Sequence, residues 1–206
     1  MAIANGKADS MARIKSLTLE ELAERGIDTS PFLADFAELP GSITTLGYRP
    51  DILQATLGLW TAIMGAGRVA ADLKYMAGYL ASMAAGCQYC SAHTASNAAH
   101  SGASVEKIAA IWDYERSPLF SQAERAALSF AVLAGQSPSG VTDAAMAQLA
   151  VHFDEQQIVE LLAVIALYGF FNRWNDSLAT KLEETPRRFG EAHLAGQGWQ
   201  IGNHAG

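Results

Sequence analysis

The chain predicts an all-α fold on three observations. Ala and Leu dominate its apolar positions, no stretch alternates with a sustained period of two, and helix-capping and helix-breaking residues punctuate it at short intervals. Of its 206 residues, 50% are apolar and 17% charged, a balance that lets one compact unit close its core without a disulfide or a metal.

The elements follow in order. Thr18-Leu19-Glu20-Glu21 has capping-box spacing and opens a short helix that Gly26 can close. Residues 31–48 carry Pro, Gly and Thr and read as a connector with at most one turn of helix. Pro50 suits a first helical position, and its helix runs toward the break at Gly65-Ala66-Gly67. A second helix spans residues 70–85 and stops at Gly86; a third runs from Cys87 to Ser101-Gly102. Ser104 starts a fourth with Ile108, Ile111 and Trp112 on its apolar side. Ser121 and Glu124 form a second capping box for a helix ending at Gly135, and Thr142 caps residues 143–152. Asp154 caps the longest helix, toward Thr180, and Pro186 onward reads as a Gly-rich arm or a disordered tail. At an offset of 85 residues Tyr75 falls on Glu160 and Cys87 on Asn172, a pattern of two repeated halves with little residue identity.

Charge and hydropathy exclude several classes of partner. The net charge is −7 with Lys and Arg scattered, which argues against nucleic acid and against an acidic membrane surface. The longest apolar run, Leu161 to Phe171, falls well short of the roughly 20 residues a span needs. Met1 to Ser10 has no apolar signal core, so the expectation is a cytoplasmic protein, where two cysteines are not a structural staple.

Gly86-Cys87-Gln88-Tyr89-Cys90-Ser91-Ala92-His93 is the segment that asks for a chemical explanation. Cys87 falls at a helix N-terminus, where backbone N–H groups and the dipole stabilise a thiolate and predict an acidified thiol. Cys90 lies one turn on, and His93, Asn97 and His100 extend the same helix side. The stripe therefore holds a nucleophile, a partner thiol and a base: a thiolate that attacks a peroxide becomes a sulfenic acid, and a neighbouring thiol condenses with it to a disulfide. Two readings compete. The cysteines can be small core residues, or Cys87, Cys90, His93 and His100 can hold zinc, although Cys87 and His100 would lie roughly 20 Å apart along one helix.

The run from Gly86 to Thr94, behind an apolar helix, resembles the AhpD-like alkylhydroperoxidases of the carboxymuconolactone decarboxylase superfamily. Residues 120–128 and the stretch from Val159 through Trp174 resemble the second half of that group. The resemblance covers residues 50–184; it sets off an N-terminal arm with short helices, 1–49, and a C-terminal tail, 185–206. It implies an all-helical, AhpD-like fold and thiol-dependent reduction of hydroperoxides. Cys90 is the family position that becomes the sulfenic acid, Cys87 the proton donor and resolving thiol, and His93 the proton relay. It further implies a small hydroperoxide substrate, a thiol electron donor, no cofactor or metal, and a homo-oligomer (trimer or hexamer, or a dimer).

Two positions depart from that pattern. The family glutamate, 12 residues before the first cysteine, is Tyr75 here, and His93 follows the second cysteine by three residues instead of four, a rotation of about 100° around a helix. Tyr75 can substitute through a relay water. Glu160, a carboxylate in an apolar helix, can approach from the other half or from a neighbouring subunit, or can be a structural partner of Arg173 or Arg125. The alternatives to a peroxidase are a decarboxylase-like lyase or isomerase on the same scaffold, or a non-catalytic redox-responsive oligomer.

Overall fold

The computed structural model describes residues 12–30 and 38–206; the reading of Met1 to Ser10 and most of the 31–48 connector's first half lie outside the described residues. Among the described residues there is no strand, and ten helices follow one another: α1 (Leu19–Glu24), α2 (Gly41–Leu46), α3 (Pro50–Met64), α4 (Ala71–Ala84), α5 (Gln88–His100), α6 (Val105–Ala109), α7 (Gln122–Gly135), α8 (Asp143–Ala150), α9 (Glu155–Leu178) and α10 (Glu184–His193). Short 3-10 turns cover Ile111–Asp113, Ala195–Gln197 and Gly202–His204.

The caps form as their sequences require. Thr18/Glu21, Ser121/Glu124 and Asp154/Gln157 make reciprocal capping boxes, and Ser104 and Thr142 each accept an N–H of their first helical turn. The helix of α4 is the hub, packed against α5, α7 and α9. It is buried on nearly every side, and its small residues set how close the neighbours come. A Cβ on Gly78 would stand 2.6 Å from the Tyr168 ring of α9, and one on Gly135 of α7 would stand 2.7 Å from Ala81 Cα.

Three expectations change. The connector contains α2, almost two turns long and buried along its whole length. The helix at Ser104 stops after Ala109, and Trp112 leaves the apolar side to lie 48% exposed while Ile108 and Ile111 are fully buried. The segment from Pro186 is ordered: Leu194, Trp199 and His204 are buried, and Trp199 Nε1 donates to Gln88 O at 3.0 Å. A few large side chains among glycines anchor this tail, a pattern too sparse to register as periodicity. No helix among the described residues is long and apolar enough to cross a membrane.

The chain also turns sharply after α9. Ala179 adopts the left-handed conformation (φ 48°, ψ 47°), which costs a non-glycine residue about 1–2 kcal/mol, and Thr180 N–H closes on Asn175 O at 3.1 Å. That turn carries residues 181–183 back across the N-terminal end of α5.

Candidate active site

Gly86, at φ +84°, ends α4 in a conformation open to glycine and hands the chain to Cys87. Cys87 is the N-cap of α5, and its Sγ accepts the Cys90 N–H at 3.4 Å. Both thiols are free, and both are buried, Cys87 at 0% and Cys90 at 2% exposure. The expected acidification of Cys87 is reversed. A hydrogen bond with the Cys90 side chain, burial, and negative charge at Cys90 and Asp176 together push the Cys87 thiol far up. One long N–H contact at a helix N-terminus is outweighed by removal from water.

Cys90, unlike Cys87, lines a cavity of about 70 Å³, room for several waters or one small organic group. Its walls are mostly apolar and aromatic: Ile43, Leu57, Trp60, Tyr168 and Phe171. Trp60 packs edge-on against both Tyr168 and Phe171. Asn175 of α9 donates to Phe171 O at 3.0 Å and reaches Cys90 Sγ at 3.5 Å. The Tyr168 hydroxyl is buried without a partner among the described residues, and burial pushes it well up, so it stays protonated as a donor.

His93 stands between this cavity and a polar recess of about 260 Å³ bordered by Tyr75, Ser96, Asn97, His100 and Glu183. Its Nε2 donates to Glu183 Oε2 at 2.7 Å. Glu183 is the N-cap residue of α10, yet its side chain makes no cap bond. The carboxylate turns inward, where Oε1 accepts from the Tyr89 hydroxyl at 2.9 Å and from Gly41 N–H. Gly41 N–H also reaches the Tyr89 oxygen at 3.0 Å, and the Tyr89 ring lies 4.6 Å from the His93 ring. Burial alone would raise the Glu183 carboxyl; the His93 charge and hydrogen bond, with Tyr89, outweigh it and hold the group below the usual carboxylate range.

The predicted stripe is therefore divided. Cys90, His93 and Asn97 border the cavity; Cys87 sits behind Cys90; His100 lies at the recess with Nδ1 donating to Ser96 O at 2.7 Å. The four-ligand set of Cys87, Cys90, His93 and His100 does not converge, because the two histidines are held by Glu183 and Ser96. Tyr75 borders the polar recess and not the Cys90 cavity. Glu160 is engaged elsewhere: it pairs with the buried ammonium of Lys74 and accepts Arg68 N–H at 2.9 Å. The expected partners are otherwise bound, Arg173 to Gly169 O and Arg125 to Tyr114 O and Ser117 O. Two residues escaped the sequence reading. Asn175 carried a signal, a buried amide late in an apolar helix; Glu183 carried none, being one acid in a charged stretch 90 residues from His93.

The carboxymuconolactone decarboxylase family model matches residues 50–133. Escherichia coli (strain K12) protein YnjA is 39% identical over 92 residues, 45% of this chain, and the match spans half of that relative's length. Among solved structures, the debrominase Bmp8 is 30% identical with a TM-score of 0.79, over 85% of this chain and 95% of its own. A cysteine-to-alanine variant of that debrominase is known in complex with 2,3,4-tribromopyrrole. An AhpD-core, peroxidase-related protein from Ralstonia eutropha JMP134 shares the fold at a TM-score of 0.73 and 19% identity, over 85% of this chain and 94% of its own. With its helix order, its thiol pair at the start of α5 and these likenesses, the chain belongs to the AhpD-like, carboxymuconolactone decarboxylase superfamily.

Proposed function

We propose that this protein is a dithiol-dependent reductase of small, apolar organic hydroperoxides, with Cys90 as nucleophile and Cys87 as resolving thiol. The observation that carries the assignment is the asymmetry of the pair: Cys90 lines the cavity, while Cys87 is buried behind it with its thiol held protonated. In the first step the Cys90 thiolate takes the terminal oxygen of ROOH, giving Cys90–SOH and an alkoxide. His93, held by Glu183, takes the Cys90 proton and returns it to the alkoxide, and the Tyr168 and Asn175 donors border the same space. In the second step the Cys87 sulfur attacks the sulfenic sulfur; its proton leaves with the hydroxyl as water and the disulfide forms. An external thiol donor restores both thiols. The same reading places the protein in the cytoplasm as a homo-oligomer, a trimer or hexamer or else a dimer.

One comparison favours a second substrate for the same pair. The likeness to a debrominase and the aromatic lining of the cavity suit a brominated ring, for which R–Br plus two thiols gives R–H, a disulfide and HBr. The test follows the intact mass of the reduced protein, without oxygen, after addition of cumene hydroperoxide or 2,3,4-tribromopyrrole. The expected result is rapid loss of two hydrogens with the hydroperoxide. Oxidation by the bromopyrrole alone selects the second reading. Thiols that survive both reagents for hours rule out both, leaving a cysteine-independent lyase or isomerase.

A further inference from the structure

We propose that Cys87, Asp176 and His204 form a Zn²⁺ site that is available only while the cysteine pair is reduced. The three side chains come from separate parts of the chain: the N-cap of α5, the last turns of α9, and the 3-10 turn Gly202–His204 near the C-terminus. The Cys87 sulfur, a carboxylate oxygen of Asp176 and a ring nitrogen of His204 all lie within 4.8 Å of one another. Cys87 and His204 are fully buried, and Asp176 is 38% exposed, which gives a cation a way in.

The arrangement converges on a point and does not run in series. His204 Nδ1 donates to Thr180 O at 2.7 Å, the backbone anchor that ligating histidines use to fix their tautomer and aim the other nitrogen. The other nitrogen, Nε2, donates to Asp176 Oδ1 at 3.1 Å, and a cation that bound there would take the place of that proton. A proton relay would give each nitrogen a partner along a line from the sulfur; here one nitrogen is spent on the backbone and the other shares its corner with the carboxylate and the sulfur. Tetrahedral zinc with thiolate, imidazole and carboxylate has ligand-to-ligand edges of about 3.4–3.6 Å, so the nitrogen and oxygen are already close and the sulfur would draw in by about 1.4 Å at most. The donor types are those of zinc, with the fourth position left to water arriving past Asp176. Binding exchanges two protons for the metal: the Cys87 Sγ–H and the His204 Nε2–H that Asp176 accepts both leave as H⁺ while Zn²⁺ takes the thiolate and the imidazole nitrogen. A disulfide removes the sulfur donor, and a bound cation in turn removes the resolving thiol. That last consequence, slower disulfide formation, rests on the proposed function; the binding does not.

The test titrates the fully reduced, chelator-treated full-length protein with Co²⁺ under anaerobic conditions, with no peroxide present. The expected result is one Co²⁺ per chain, a near-ultraviolet thiolate-to-cobalt band, and displacement of the cobalt by Zn²⁺. Cys87→Ser loses the band, His204→Ala and Asp176→Asn weaken binding by at least about 100-fold, and Cys90→Ser binds within a few-fold of wild type. Circular dichroism of each metal-free variant checks that it is folded, and Asp176→Asn, at the partly exposed corner, serves if His204→Ala is not. Absence of the band in the wild type overturns the proposal. So does a band that survives in His204→Ala and Asp176→Asn, or one that vanishes in Cys90→Ser and thereby places the cation on the two thiols. If the band behaves as expected but Zn²⁺ leaves peroxide-driven mass loss unchanged, the site stands and the role of Cys87 as resolving thiol fails.

Discussion

Glu183→Gln slows oxidation of the cysteine pair by cumene hydroperoxide about 100-fold, the scale of losing one positioned acid–base partner, while the chain stays folded. The amide keeps the size of the side chain and one oxygen that can accept from Tyr89 or Gly41. It removes the negative charge that His93 faces at 2.7 Å, and with it the counter-charge that the proposed proton transfer through His93 draws on. Stability falls by about 1–2 kcal/mol, because three donors converge on this carboxylate and an amide cannot satisfy all of them. The rate is read from intact mass over time and the stability from urea unfolding. A rate within threefold of wild type would show that His93 does not act through Glu183.

Glu160→Gln has the opposite signature. It destabilises the chain by about 3 kcal/mol and leaves the peroxide rate within twofold of wild type. The Lys74 side chain is 1% exposed; its ammonium donates to Ile63 O at 2.8 Å and Gly65 O at 3.0 Å, tying the end of α3 to α4, and Glu160 supplies its countercharge. Removing the carboxylate leaves that charge buried and uncompensated. The double variant Lys74→Met/Glu160→Gln recovers most of the loss, because the charge goes with its partner. Burial opposes ionisation of Glu160, but the Lys74 hydrogen bond and the Arg68 N–H outweigh it, so its folded pKa lies below the ordinary 4.5. A lowered folded value means that its contribution is complete above about pH 4.5 and is lost as the pH falls through that lower value. Glu160→Gln therefore flattens this part of the acid-unfolding curve, and an unchanged curve with unchanged urea stability would show that Lys74 does not need Glu160.

These two glutamates mark where sequence is legible and where it is not. Helix starts and stops were readable because Thr18, Ser121, Thr142 and Asp154 act within three residues of themselves, and the thiol pair was readable because its spacing is local. The sequence marks Glu160 as a carboxylate that needs a partner, but the choice of Lys74 over Arg173 or Arg125 is made by the packing of α4 on α9. Glu183 reaches His93 from a segment of chain beyond α9, after the left-handed Ala179 turn, and no periodicity announces such a crossing. Cys87 shows the same limit in its chemistry. Its N-cap position is a sequence property and predicts an acidified thiol, whereas its burial and its contact with Cys90 are tertiary properties and decide the opposite direction.

In the proposed mechanism the two cysteines have fixed and different roles, Cys90 reacting first from the cavity and Cys87 resolving from behind it. The direct measurement exposes reduced Cys87→Ser and Cys90→Ser to equal hydroperoxide with dimedone present and locates the adduct by peptide mass. The expected result is a sulfenic-acid adduct on Cys90 in Cys87→Ser, formed near the wild-type rate of thiol loss, and an unmodified Cys87 in Cys90→Ser. An adduct on Cys87 in Cys90→Ser at the wild-type rate, with Cys90 unreactive in its own variant, would contradict it.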